Sequence, residues 1–143
     1  MIVENIFEDK IFPELKKYVE EKSIYNPTVT KAMPQQSKVF PIVPVKLLPV
    51  TNKYNNLSYG EETYTFGIEV EIYAIASGKT SKRTICNEVT GQVVDYFKNN
   101  YHVTIKTELD ALNADSNVHR NIIKITGTLD TKYGLDNLVI YPV

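Results

Sequence analysis

A run of strict alternation, YTFGIEVEIYAIA at residues 64–76, constrains the fold of this 143-residue chain more than any other segment. Apolar residues occupy every second position from Tyr64 to Ala76, and Glu69 and Glu71 lie between them. Successive side chains of a strand point to opposite faces, so this pattern predicts one long strand with a single buried face. Other segments of the chain must cover that face.

The segment that begins the chain has a helical pattern. Apolar residues recur at three- and four-residue steps from Ile2 to Val19, with charged residues between them. Pro13 interrupts this pattern, because a proline lacks the N–H that a helix uses and crowds the preceding turn. We therefore expect a first helix with a kink or a break near residues 11–12. Residues 21–37 contain two prolines and no sustained period, which predicts a long connector with room for one short strand.

Prolines also mark the strand that follows this connector. Residues 38–50, KVFPIVPVKLLPV, are rich in β-branched side chains but contain Pro41, Pro44 and Pro49. Because proline cannot donate to a sheet ladder, this strand should lie at a sheet edge or be interrupted by bulges. Residues 51–60, TNKYNNLSYG, are rich in turn-forming Asn, Ser and Gly, and they predict a loop.

A second helix follows the long strand. Apolar residues with helical spacing run from Ile85 to Phe97 and predict a helix over about residues 81–99. The hydroxyl of Ser81 or Thr80 can cap its first N–H groups. We expect the helix to end at the two asparagines 99 and 100, because Asn tolerates the left-handed conformation that closes helices.

The last predicted strands form a hairpin. Residues 101–109 and 118–130 alternate as strands do, and the turn-rich sequence NADSN lies between them. The order of elements predicts an α+β fold in which two helices pack on one face of a mainly antiparallel sheet. We expect a single domain over residues 1–143, with residues 133–143 as a C-terminal tail.

Composition limits the classes of partner. Sixteen basic and seventeen acidic residues give a net charge of −1, so no overall positive field attracts nucleic acid or an anionic membrane. No stretch approaches the ~20 apolar residues of a membrane span, and the N-terminus lacks the pattern of a secretory signal. The single cysteine, Cys86, is expected to be a buried free thiol. These features predict a protein made in a reducing cytoplasm, with no specific nucleic acid and no membrane as partner.

Residues 77–81, SGKTS, lie between a predicted strand and a predicted helix, as the end of a phosphate-binding loop does. That motif needs a glycine five positions before its Gly-Lys pair, because a residue without Cβ lets the backbone wrap the phosphate. Tyr73 stands at that position. The segment therefore predicts a strand-to-helix turn in which Gly78 bends the chain, and not a nucleotide site.

The other residues with catalytic or metal-binding chemistry lack partners at the required spacing. His102 and His119 have no Cys or His at zinc-ligand spacing, so they would meet only by facing each other across the hairpin, and solvated histidines are the simpler interpretation. Glu69 and Glu71 share a sheet face and mark a solvated or subunit-facing side more simply than an acid–base pair. We expect no enzymatic activity, no cofactor and no metal ion.

Tyrosines and an apolar C-terminus indicate contacts with other proteins. The chain has ten tyrosines and no tryptophan, and several tyrosines fall in predicted loops or in the tail. Tyrosine is favoured at interfaces because it buries a large ring and keeps a polar tip. The chain ends in LVIYPV, which would favour aggregation if it were exposed. We expect this tail to add as a strand either to its own sheet or to a neighbour's.

The order of these elements resembles that of the small tail-terminator and tail-completion proteins of long-tailed bacteriophages and phage-derived particles. The resemblance rests on an N-terminal helix, the proline-broken strand FPIVPVKLL, the long strand ETYTFGIEVEIYA, a short polar turn, a helix, and a hairpin containing NADSNVHRNIIKITGTLD. It covers about residues 1–130. It is a pattern of elements with diffuse motifs, and it includes no invariant catalytic residue.

This resemblance implies a structural virion protein of the tail and neck, assembled in the host bacterial cytoplasm. Such proteins form a homo-oligomeric ring, usually a hexamer, that caps the tail tube, ends its polymerisation and provides the interface for head-tail joining. The implied partners are other copies of the chain, the tail tube protein and the head-tail connector or neck protein. The predicted subunit or tube contacts are Pro41, Pro44, Tyr54, Tyr59, Lys79, Lys82, Arg83, Tyr133, Leu138, Ile140 and Tyr141.

Other functions remain open from the sequence. Within virion assembly, the chain fits a neck or head-completion adaptor, or a tail tube subunit. In a different class, it fits a small dimeric α+β binding module with a ligand pocket between its helices and its sheet. The oligomeric state separates these hypotheses, because they predict a ring, a filament or a dimer.

Overall fold

The computed structural model describes residues 2–31, 39–56 and 61–130 of the chain. Its helical segments are α1 (Ile2–Ile6), a π-helical turn (Phe7–Ile11), α2 (Phe12–Lys22) and α3 (Lys82–Asn100). Its strands are β1 (Thr28–Thr30), β2 (Ile42–Leu47), β3 (Thr51–Asn56), β4 (Glu61–Ala74), β5 (Thr104–Glu108) and β6 (His119–Asp130). The predicted α+β class is confirmed. None of the helices in these ranges has the length and apolar character that a membrane span requires.

The N-terminal helix continues through Pro13 instead of breaking there. Ile11 and Phe12 both have helical dihedral angles, and the Phe12 N–H donates to the carbonyl of Phe7, five residues back. This π-helical turn lies immediately before the proline, which cannot supply the N–H of a regular α-helical bond. Of the kink or break predicted near residues 11–12, the break is not observed, and the helix instead changes its pitch in the turn before the proline.

The sheet has the strand order β1-β2-β4-β6-β5, and β3 also pairs with β4. Only the β1–β2 pair is parallel. The predicted long strand is β4 at the centre, and it pairs with β6 from Thr63 opposite Asp130 to Ala74 opposite His119. The predicted C-terminal hairpin is confirmed as the β5–β6 pair. The short strand predicted in the connector is β1.

Of the two alternatives predicted for β2, a sheet edge or an interruption by bulges, the edge position is wrong, because β1 covers its outer side. Pro44 is accommodated within the β2–β4 ladder, whose register goes from Ile42 opposite Tyr73 directly to Val45 opposite Val70. A residue without an N–H can lie in such a gap without leaving a ladder bond unmade.

The predicted loop at 51–60 is also wrong for its first part. Residues 51–56 form β3, which pairs with the same side of β4 as β2 does, because β4 extends beyond the end of β2. Leu47 lies opposite Ile68, and Thr51 lies opposite Thr65. Between these two pairs the chain advances by four residues from β2 to β3 but by only three residues along β4. The extra residue lies in the segment 48–50, which holds Pro49 and joins β2 to β3. Residues 57–60 lie outside the described part of the chain.

The start of α3 and its end at Asn100 agree with the sequence. Ser81 caps the helix, since its hydroxyl accepts the Thr84 N–H at 3.2 Å. The preceding turn is closed by reciprocal backbone bonds between Ser77 and Thr80, with Gly78 at φ 58°. The predicted left-handed ending is wrong: Tyr101, the C-terminal cap, is extended at φ −137°. The chain passes directly from the helix toward β5, which requires an extended residue there.

The core lies between the helices and one face of the sheet. α3 packs on β4 and β6, and α2 packs on α3 and β1. The alternating apolar side chains of β4 are buried as predicted, except that Ala76 lies beyond the strand and is exposed. The largest fully buried side chains are Leu15, Val19, Val29, Ile42, Ile68, Ile72, Ile85, Phe97, Ile123, Ile125 and Leu129. No helix of the described ranges covers the other face of the sheet, which we call the helix-free face.

Candidate interaction surface

The outer edge of β1 is closed by side chains of α2. The Val29 N–H donates to Glu20 Oε2 at 3.2 Å, and the Val29 carbonyl accepts from Lys16 Nζ at 3.0 Å. Lys16 and Glu20 form an ion pair at 2.6 Å. The main-chain groups on this side of β1 are therefore satisfied within the subunit. An edge treated in this way does not offer a free ladder to another strand.

The other outer strand, β5, is open. Four of its five side chains are exposed, and among the described residues no strand pairs with its outer side. Lys106 on β5 lies opposite Lys124 on β6, which lies opposite Glu69 on β4, and Lys46 on β2 continues this row across the helix-free face. Like charges directly opposite each other destabilise a sheet. An acidic surface or an added strand at this edge would therefore be favoured.

Residues 109–118, which we call the leucine loop, connect β5 to β6 and are bonded to both β6 and α3. The Ala111 N–H donates to the Arg120 carbonyl at 2.7 Å. From the first residue of α3, the Lys82 ammonium group donates to the carbonyl of Ser116. These bonds hold the loop at both its ends.

Two leucines of this loop face solvent although the backbone is held. Leu109 is 56% exposed and Leu112 is 90% exposed. Burying a leucine side chain contributes ~1.5–3 kcal/mol, a gain that the isolated subunit does not obtain at Leu112. The segment 108–118 contains three acidic and no basic residues, namely Glu108, Asp110 and Asp115. The leucine loop therefore combines acidic residues with solvent-exposed leucine side chains.

A buried asparagine on β6 anchors the leucine loop to α3. Asn121 is fully buried, and its Oδ1 accepts the Asp110 N–H at 2.9 Å. Its Nδ2 donates to Asn87 Oδ1 at 3.0 Å and to Thr90 Oγ1 at 2.9 Å, both on α3. One amide side chain thus joins the loop, the central sheet and a helix.

Arg120 connects the leucine loop to the helix-free face. Its guanidinium group donates to the Leu112 carbonyl at 2.8 Å and to the Glu71 carboxylate, and it lies 5.7 Å from the centroid of the Tyr73 ring. The Tyr73 hydroxyl donates to Glu71 Oε2 at 2.9 Å. The hydrogen bond to Glu71 raises the pKa of Arg120. The pKa of Tyr73 is also raised, mainly by burial and to a smaller extent by its hydrogen bond to Glu71. Glu71 is therefore engaged in a structural network on the predicted solvated or subunit-facing side.

A groove of about 410 Å³ lies between α2 and the end of α3, far from the leucine loop. We call it the tyrosine groove, and its lining includes Glu14, Lys17, Tyr18, Tyr96, Asn100 and Tyr101. Glu14 Oε2 accepts from the Tyr96 hydroxyl at 3.1 Å and from the Tyr101 hydroxyl at 3.4 Å. Burial is the main cause that raises the pKa of Tyr96, and it raises the pKa of Tyr101 to about 12. Both tyrosines are buried and remain neutral hydrogen-bond donors to Glu14.

The single cysteine is buried in the core, as predicted. Cys86 has no exposed surface, and its thiol donates to the carbonyl of Ile72 at 3.3 Å. Burial raises the pKa of Cys86 to about 12, so the nucleophilic thiolate is absent at neutral pH.

We expect Cys86 to resist thiol reagents in the folded protein. At pH about 8.5 an exposed thiol is half ionised and reacts readily, whereas Cys86 should react only after unfolding. The measurement is the rate of labelling by a chromogenic disulfide reagent with and without denaturant. Equal rates in the two conditions would contradict the buried position of the thiol.

The structure brings two of the three predicted basic contact residues against the leucine loop. Lys82 donates to Ser116, and Arg83 lies 3.7 Å from the Asp110 carboxylate. Lys79 is exposed on the turn before α3. Two of the residues predicted to contact another subunit or the tube, Lys82 and Arg83, thus contact the leucine loop of their own subunit. The exposed leucines of this loop were not singled out by the sequence analysis.

The remaining predicted contact residues are buried or undescribed. Pro41 and Pro44 are buried, so their rings are not on the accessible surface of this subunit. Tyr54 lies on β3, not in a loop, and its side chain is not described. The other predicted contacts fall outside the described residues, namely Tyr59, Tyr133, Leu138, Ile140 and Tyr141.

The two histidines do not face each other across the hairpin. His119 begins β6 opposite Ala74, whereas His102 lies beside Thr126 and Thr128 toward the other end of β6. The prediction that both are solvated is wrong for His119, which is 4% exposed and has Nε2 3.1 Å from Asn121 Oδ1. In residues 2–31, 39–56 and 61–130, no three His, Cys, Asp or Glu side chains are arranged to hold a metal ion.

Comparison with known proteins assigns no family. A scan against protein-family models and a search of curated proteins each found no match to this chain.

Proposed function

We propose that this protein is a tail terminator of a long-tailed bacteriophage or of a phage-derived particle. In this role, copies of the chain form a ring on the end of the tail tube, end its polymerisation and provide the interface for head-tail joining. The observation that carries the proposal is the order of elements within one α+β layer: N-terminal helix, proline-interrupted β2, long β4, α3 and the β5–β6 hairpin. The resemblance to tail terminators rests on this same order.

The unequal edges of the sheet support assembly into a ring. A ring of identical subunits requires heterologous contacts, in which one patch meets a different patch on the next copy. Lys16 and Glu20 close the β1 edge, whereas no described strand covers the outer side of β5, whose row bears a surplus of lysine side chains. The two ends of the sheet therefore present different surfaces to neighbouring copies.

The proposed mechanism is geometric. One face of the ring matches the last layer of the tube, and the opposite face does not repeat it, so no further tube subunit can add. That opposite face is then free to bind the connector or neck protein. The proposed function requires no covalent chemistry from this protein.

Light scattering on the purified protein tests the assembly state. A ring of about six copies is the expected result for a terminator. A stable dimer would favour the small binding module, and a filament would favour a tube subunit. A protein that stays monomeric at high concentration and also fails to bind tube ends would contradict the proposal.

A further inference from the structure

We propose that β5 binds an extended segment of another protein as an added antiparallel strand. The segment carries a basic residue opposite Glu108, an acidic residue opposite Lys106 and an apolar residue between them. This inference goes beyond the proposed function, because it names the chemistry of a partner segment. It is tested without tubes or rings, so its failure would leave the proposed function untouched.

The main-chain groups on the outer side of β5 can pair with such a segment. In residues 2–31, 39–56 and 61–130, β6 is the only strand that pairs with β5. Four of the five β5 side chains are exposed. Within the same ranges, no side chain bonds to the β5 main chain as Lys16 and Glu20 bond to β1. A row of unpaired N–H and C=O groups is a surface to which another strand can add.

The charged side chains of β5 on the helix-free face have no partner of opposite charge. Lys106 lies directly opposite Lys124 of β6, and Glu108 lies opposite Ile122. None of these three charged side chains forms an ion pair with another described residue. Like charges directly opposite each other destabilise a sheet. An acidic side chain on the outer side of Lys106, and a basic one on the outer side of Glu108, would therefore be favoured.

The order of the two charges selects the sequence of the added segment. Residues i and i+2 of a strand point to the same face, so both charges of the segment lie on the helix-free face. In an antiparallel pair, the residue opposite Glu108 comes before the residue opposite Lys106. The segment therefore reads basic, apolar, acidic from its N-terminus. Exchanging the two charges would oppose like charges at both positions.

The other side of β5, which faces the helices, offers apolar surface to the middle residue of this segment. That residue lies opposite Thr107 and diagonal to Ile105 and Leu109. Ile105 lies opposite the fully buried Ile125, yet it is itself only half-buried. Leu109 is 56% exposed. An apolar side chain between the two charges would therefore extend the core past β5.

The β5 strand of a second copy matches this surface less well. If two β5 strands paired antiparallel over the full range Thr104–Glu108, Lys106 would lie opposite the same lysine of the other copy. That register repeats the like-charge pair. The register that joins Lys106 to Glu108 of the other copy leaves only residues 106–108 of the strand paired. A segment of another protein has neither restriction.

A cyclised β-hairpin peptide with Arg-Val-Glu-Val-Thr on its outer strand is the probe for this edge. The hairpin is already extended, which lowers the entropic cost of binding. Binding is followed by the amide NMR signals of the labelled protein. We expect the β5 amides to shift and to exchange with solvent more slowly. The Val29 amide on the closed β1 edge should not change, because Glu20 already accepts its hydrogen bond.

A second peptide, with Glu-Val-Arg in place of Arg-Val-Glu, measures the contribution of charge. It should bind the wild-type protein about tenfold more weakly, because two favourable cross-strand pairs become unfavourable. The double variant Lys106→Glu with Glu108→Lys should reverse this preference. The matched control exchanges two exposed charges of α3, Asp95→Lys with Lys98→Glu, and should keep the wild-type preference. A stability loss does not explain a reversed preference, so the result reports the contact itself.

Three results would overturn the proposal. The first is an absence of change at the β5 amides with either peptide at concentrations up to about 1 mM. The second is a double variant that keeps the wild-type preference. The third is a shift of the β5 amides with protein concentration in the absence of peptide, because a second copy would then occupy the edge.

Discussion

Asn121→Leu is expected to lower the free energy of unfolding by about 2–4 kcal/mol, because it removes the acceptor of both the Asp110 N–H and the buried His119 ring. The wild-type amide accepts the Asp110 N–H and donates to Asn87 and Thr90, and the residue is fully buried. Leucine keeps the volume but supplies none of these bonds. Urea denaturation followed by circular dichroism measures the change.

The matched control for this prediction is Asn117→Leu in the same hairpin. Asn117 is exposed, and the substitution should change stability by no more than about 0.5 kcal/mol. We also expect faster hydrogen exchange of the Asp110 amide in Asn121→Leu, since its acceptor is lost. If Asn121→Leu proved as stable as the control, the anchoring of the leucine loop to α3 would be refuted.

Phe97→Ala is expected to destabilise the protein by about 3–5 kcal/mol, the range for removal of a large buried aromatic side chain. Phe97 is 1% exposed, and its ring packs edge-on against Tyr96, with centroids 5.2 Å apart. It also contacts the ring of Tyr101, with centroids 6.0 Å apart. The loss should therefore combine the transfer energy of the ring with the cavity left between α3 and the sheet. The shift of the thermal or denaturant midpoint measures it.

Asp95→Ala provides the comparison for Phe97→Ala, since Asp95 lies two residues away on the exposed side of α3. It should change stability by less than about 0.5 kcal/mol. The substitution Phe97→Ala also removes the ring against which Tyr96 and Tyr101 pack. A loss of less than about 1 kcal/mol would show that Phe97 does not fill the core as described.

The sequence predicted those elements whose patterns are local and strong. The alternation of β4 is unbroken, so its buried face could be read directly. The Ser81 cap and the β5–β6 hairpin follow from short signals of the same kind. Because these elements pack against each other in one layer, the α+β class followed from them.

The errors arose where long-range pairing overrides local preference. Residues 51–56 have turn-forming composition, yet β4 is long enough to hold them as β3. Pro44 predicted either an edge position or a bulge for β2, but a gap in the ladder accommodates it inside the sheet. Pro13 predicted a kink or a break, and the helix instead contains a π-helical turn before the proline. Neither a ladder gap nor a change of helical pitch leaves a signal in a single sequence.

The candidate surface was only partly predictable. The basic residues before α3 were singled out, but only the structure shows that Lys82 and Arg83 bind the leucine loop. Leu109 and Leu112 lie in an acidic turn-rich segment, a signal that could have marked them as surface apolar residues. The tyrosine groove combines residues from α2 and α3, which are far apart in sequence and meet only through packing.

The length of tail tubes grown with and without this protein tests the central claim most directly. Tube protein from the same particle is polymerised in both conditions, and the tubes are measured by negative-stain electron microscopy. The account predicts short tubes that stop growing when the protein is added, with a ring of density on one end of each. Tubes of unchanged length with bare ends, at a protein concentration above that of the tube ends, would contradict it.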